Sequence, residues 1–123
     1  MVKSIKIKIN GHIKSLTDNM ANKIDAVGIK KDNTISYISN NISHKLIINE
    51  DKITLIRENN EFKSIIEFIY QKISNSYYLL KEQNIEINIK LKTTSINKTE
   101  KQIIITYELI ESKEKYEYKI EMR

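Results

Sequence analysis

Isoleucine and lysine alternate near the start of the chain, with Ile5, Ile7 and Ile9 set between Lys6 and Lys8. The same period of two returns at Ile85, Ile87, Ile89 and Leu91, spaced by Glu86, Asn88 and Lys90, and at Tyr116, Tyr118, Ile120 and Met122, spaced by Glu117, Lys119 and Glu121. Successive strand side chains point to opposite faces, so this pattern predicts strands with one buried and one wetted face. The β-branched run Ile103 to Ile110 fits it too, with Ile103, Ile105, Tyr107 and Leu109 inward. Ile56, Ile104 and Ile110 are then outward apolar residues, a surface a partner would cover.

Turn signals separate further strands at about Asn22 to Lys30, Thr34 to Ser39, His44 to Ile48 and Lys52 to Glu58. They are Asp32-Asn33, Asn49-Glu50-Asp51, Asn59-Asn60, Asn84 and Asn97-Lys98. Asparagine and aspartate tolerate the left-handed backbone of tight turns, and here they stand in for glycine, which occurs only twice. The segment 62–80 fits two patterns. Phe62, Ile65, Ile66, Ile69, Ile73, Tyr77 and Leu80 have helical spacing, whereas Phe62, Ser64, Ile66, Phe68 and Tyr70 alternate. Its isoleucine and aromatic content favours two strands broken near Gln71. The expectation is one all-β domain over residues 1–123, an antiparallel meander barrel of about 8–10 strands.

Composition narrows the chemistry more than it directs it. With no cysteine there is no disulfide, thiol nucleophile or thiolate metal site. The alternating N-terminal residues do not read as a signal peptide and no run reaches membrane-spanning length, so the expected location is the cytoplasm, away from membranes. The formal charge is +5, but the lysines interleave with glutamates, and the Ile/Asn/Lys excess follows from an AT-rich coding bias. A nucleic-acid partner is therefore disfavoured. His12 and His44 are far apart and lack a ligand-like pattern around them, so neither a metal nor a cofactor is expected.

With the strands placed, Lys52-Ile53-Thr54-Leu55-Ile56-Arg57, the aromatic strand after its turn, the pair Thr93-Thr94 and the closing Ile105-Thr106-Tyr107-Glu108-Leu109 form an ordered series. In that order the chain resembles the YwiB-like family of bacterial proteins over nearly its whole length. The resemblance implies a fold similar to the calycins, the lipocalin-like meander barrels, and carries no defined activity with it. The family tends to place glycine after the arginine strand and before the threonine strand. This chain has Asn59-Asn60 and Gln83-Asn84 there, which preserves the turn chemistry.

Arg57 stands out, because the only other arginine is Arg123 while nineteen basic residues are lysine. A guanidinium offers a planar fork of donors suited to carboxylate or phosphate. Alternation puts Arg57 on the face of Ile53 and Leu55, so it either reaches into the barrel to hold an anionic group or pairs with a strand glutamate such as Glu67 or Glu108. Tyr37, Tyr70 and Tyr107 are candidate cavity-lining phenols, and Ser64 and Glu67 candidates for convergence with Arg57 inside the barrel. The leading expectation is a module binding a small apolar or anionic ligand. The alternatives are an interaction protein, monomeric or homodimeric, and an enzyme by analogy with calycin-like decarboxylases that use tyrosine, arginine and glutamate.

Overall fold

The computed structural model describes residues 3–123. Ten strands run in chain order: β1 Ser4–Ser15, β2 Ala21–Lys31, β3 Thr34–Ser39, β4 Ile42–Ile48, β5 Ile53–Glu58, β6 Phe62–Phe68, β7 Ile73–Leu80, β8 Ile85–Lys98, β9 Gln102–Leu109 and β10 Lys115–Met122. Each pairs antiparallel with the next, and β1 pairs with both β2 and β10, which closes the meander into a barrel. Closure satisfies strand edges that an open sheet would present to other chains.

The segment 62–80 forms β6 and β7, broken where Gln71 takes a φ of 58°. Asp32 and Asn84 adopt left-handed φ values of 55° and 53°, as do Asn40 and Asn41 at the β3–β4 turn. Asn59 acts differently: its Oδ1 accepts the Glu61 and Phe62 N–H groups at 2.8 and 3.0 Å. The expected turn at Asn97-Lys98 lies instead at the end of β8, where Asn97 pairs with Ile104. An irregularity between Thr93 and Ser95 lengthens β8 and carries the turn past it.

Both glycines sit where strands crowd together. A Cβ on Gly11 would lie 1.8 Å from the Lys119 carbonyl oxygen, and one on Gly28 would meet the Ile9 side chain and the Ser36 carbonyl at 2.5 and 2.6 Å. Glycine is therefore required by close backbone approach rather than by turn geometry.

The inward positions divide the lumen into two halves. Toward the end that holds both termini, Ile9, Ile35, Leu46, Ile53, Phe68, Ile103 and Ile120 are almost fully buried and pack into one apolar cluster. Toward the end formed by the β1–β2, β3–β4, β5–β6, β7–β8 and β9–β10 turns, the inward side chains Tyr37, His44, Arg57, Ser64, Tyr107 and Tyr118 sit beside the apolar Ile24 and Phe62.

Among the described residues three stretches lack a partner strand on one side, the first being residues 21–27 of β2, which meets β3 only from Gly28 onward. β10 begins to pair with β1 only at Ile9, and β9 begins to pair with β8 only at Leu91. Ile5 is consequently exposed, as are Ile85, Ile87 and Ile89, which alternation alone assigned to a buried face. Of the outward residues, Ile110 is exposed and Ile56 and Ile104 are half-buried. Val27, Ile29 and Ile38 on β2 and β3 are more exposed than any of these three.

Candidate functional site

Arg57 enters the lumen because it continues the inward face begun by Ile53 and Leu55, one step before the β5–β6 turn. Its register partner on β6 is Ser64 and on β4 is His44, so the two neighbouring strands flank it with buried polar side chains. The guanidinium carbon lies 5.8 Å from the Phe62 ring centroid, within cation–π range, and Phe62 in turn stacks on Tyr78 at 5.2 Å.

Neither of the anticipated carboxylates meets it. Glu67 faces the barrel exterior and pairs with Lys52 at 2.8 Å, and Glu108 forms no ion pair with Arg57. Among the described residues Arg57 has no carboxylate within 4.0 Å, and the inward strand positions hold no aspartate or glutamate. The buried Nε of Arg57 has no hydrogen-bond partner, and neither do His44 Nδ1 and Thr93 Oγ1. Buried polar groups are nearly always satisfied, so three orphans in one lumen mark a place where packing alone does not explain the residues.

The surrounding groups are neutral. Burial, followed by the charge of Arg57, pushes the His44 imidazole down to about 4, while a backbone hydrogen bond at Ser39 acts the other way. Its ring stacks on Tyr37 at 4.5 Å with 8° between planes. The Tyr37 and Tyr118 hydroxyls share a buried hydrogen bond of 2.6 Å. Burial pushes the phenols of Tyr37 and Tyr107 up to about 12 and that of Tyr118 well above its usual value, with Arg57 pulling weakly in the opposite direction on all three. At neutral pH, Arg57 is thus the charge in this half of the lumen.

A cavity of about 190 Å³ opens onto Arg57 and His44, walled by Ile13, Ile24 and Ile42 and rimmed by Asn22, Lys23, Ser39 and Asn40. The structure therefore brings together four of the six anticipated residues, Arg57, Tyr37, Tyr107 and Ser64. It places Tyr70 elsewhere, half exposed at the β6–β7 turn beside a broader groove of about 570 Å³ at the opposite end. Tyr70 lies two residues beyond the end of β6, so the alternation that seated Phe68 inward no longer governs it. Glu67 falls on the odd phase of the same strand and points out.

His44 and Tyr118 complete the cluster and were not singled out as site residues from the sequence. The available signal was their phase: His44 shares the alternation of Leu46, and Tyr118 that of Ile120.

No family model matches this chain. No curated protein matches it either. Among solved structures, the chain is similar to the ywiB protein from Bacillus subtilis, with a TM-score of 0.71 at 15% sequence identity, covering 99% of this chain and 92% of that one. The whole-length YwiB-like resemblance read from the strand order is thereby matched in three dimensions, and the chain has the closed ten-strand antiparallel β-barrel fold of a YwiB-like protein.

Proposed function

We propose that this barrel binds a small molecule bearing one anionic group and a compact apolar or aromatic body, with Arg57 holding the anion. The observation that carries this reading is the Arg57 guanidinium, set in the lumen with no carboxylate partner and with its buried Nε–H unbonded beside a cavity. A half-buried cation whose Nε–H is shut off from water and unbonded is under-satisfied, and an incoming carboxylate or phosphate supplies both the charge and the acceptor.

Size and lining narrow the class. At about 190 Å³ the cavity is well below the ~300–1,000 Å³ typical of sites for drug-sized ligands, which favours a ligand of few heavy atoms. Isoleucines form its walls, and His44, with Tyr37 stacked on its ring, presents a flat, uncharged imidazole beside Arg57. Benzoate and phenyl phosphate have the required parts.

Isothermal titration of both compounds into the wild-type protein and Arg57→Leu tests the reading. Saturable binding that weakens at least tenfold in the variant is expected, since a charge-assisted pair contributes about 1.5–3 kcal/mol. Equal affinity in the two proteins, or no binding to the wild type, would contradict it.

A further inference from the structure

At the turn end of the barrel wall β2 has no β3 partner over residues 21–27, and a second interrupted stretch lies along β8. From Ile85 to Ile89 this strand has β7 on one side and no strand on the other. The Ile110 N–H bonds to the Lys90 carbonyl, so the even-numbered residues direct their backbone groups toward the β9 side. By the alternation of an antiparallel ladder, the N–H and C=O groups of Glu86 and Asn88 face the open edge, while Ile85, Ile87 and Ile89 bond to β7. The unpaired stretch of β1 alternates isoleucine with lysine, a common guard against edge pairing. The β8 edge from Ile85 to Ile89 alternates in the same way but carries a single charge, Glu86, between isoleucines exposed to 46%, 39% and 38%.

We propose that this edge pairs with the same edge of a second copy of the chain, antiparallel about a two-fold axis through Ile87. In that register Ile87 faces Ile87 of the other copy, Ile85 faces Ile89, and Glu86 faces Asn88. The four outward backbone groups of each copy then become the hydrogen-bonded pairs of the new ladder, and the Ile87 pair becomes a non-hydrogen-bonded one. Charges agree with this register. Glu86 meets a neutral asparagine, with Lys90 two positions along on the same face, whereas centring on Glu86 would oppose like charges. A two-fold contact is self-complementary by construction, which this five-residue segment satisfies. Its area falls short of the ~1,000 Å² of stable interfaces, so the dimer is weak and concentration-dependent.

Because the chain has no cysteine, single substitutions report the register directly. A non-hydrogen-bonded cross-strand pair brings Cα atoms to about 4.5 Å, within disulfide range. Under mild oxidation Ile87→Cys is expected to form a covalent dimer at least tenfold faster than Glu86→Cys, whose copies do not oppose each other, and than Val27→Cys on the other open edge, that of β2. Ile87→Lys, at an exposed position that leaves the fold intact, is expected to remain monomeric in sedimentation at concentrations where the wild type self-associates. Equal cross-linking rates for the three cysteine variants, faster cross-linking of Glu86→Cys, or unchanged association of Ile87→Lys would overturn the proposal.

Discussion

The two halves of the lumen are built from the same strands by the same alternation, yet they obey different rules. In the half near the termini, the inward side chains of Ile9, Ile35, Leu46, Ile53, Phe68, Ile103 and Ile120 have no polar atom to satisfy, and the buried Ser74 hydroxyl is bonded to the Glu67 carbonyl. In the half near the turns, the next inward residue on β3, β4, β5, β6, β9 and β10 is polar: Tyr37, His44, Arg57, Ser64, Tyr107 and Tyr118. A barrel of ten strands encloses more space than the eight-stranded barrels whose interior side chains just fill. One half spends that space on packing, and the other keeps a cavity, a lone cation and unbonded polar atoms. Sequences that specify a fold tend to break local rules at functional sites, so the contrast supports the proposal that one half stabilises the barrel and the other binds a ligand.

The largest effect is expected in the apolar half. Phe68→Ala removes a fully buried ring and should destabilise by about 3–5 kcal/mol, measured by urea unfolding. A loss below 1 kcal/mol would mean that this half is not the packed core. Gly11→Ala comes next, at about 3 kcal/mol, because the backbone of Lys119 cannot yield without opening the β1–β10 pairing.

A smaller effect separates the halves by pH. The folded pKa of His44, about 4, lies below its ordinary 6.5, so the unfolded chain binds the proton more readily. The contribution of neutral His44 to stability is therefore fully present above about pH 6.5 and is lost as pH falls toward 4. The slope stays below the ~1.4 kcal/mol per pH unit of one full proton. Comparing wild type with His44→Phe across this window isolates it from the carboxylates, and identical pH profiles would remove the buried imidazole from the account.

The smallest effect is the most diagnostic. Arg57→Met removes a donor that bonds to nothing, at the cost of the contact with Phe62, and should change stability by no more than about 1 kcal/mol. A loss as large as that of Phe68→Ala would make Arg57 a structural residue.

Most of the fold was legible because alternation is a local property of strands. It marked β1, β8, β9 and β10 and put Arg57 in the phase of Leu55, while turn residues separated β2 to β5 and isoleucine and aromatic content favoured the two strands of segment 62–80 that break near Gln71. It failed where burial depends on a distant neighbour: Ile85, Ile87 and Ile89 are exposed because β9 ends before reaching them. The candidate site was half legible. Arg57 was visible through its rarity, whereas its lack of a carboxylate follows from the outward phase of Glu67 and the pairing with Lys52. The stacking of His44 on Tyr37 depends on the β3–β4 register, where the two residues lie opposite, and no local pattern encodes that.

The central claim, that Arg57 waits unpaired for a small anion, can be watched at one atom. The chain has two arginines, so its arginine Nε–H spectrum holds two signals, Arg57 and the exposed Arg123. Titration with benzoate followed by ¹⁵N–¹H correlation should move the Arg57 signal saturably and leave Arg123 in place. An Arg57 signal that stays fixed, or that drifts in parallel with Arg123 without saturating, would contradict the account.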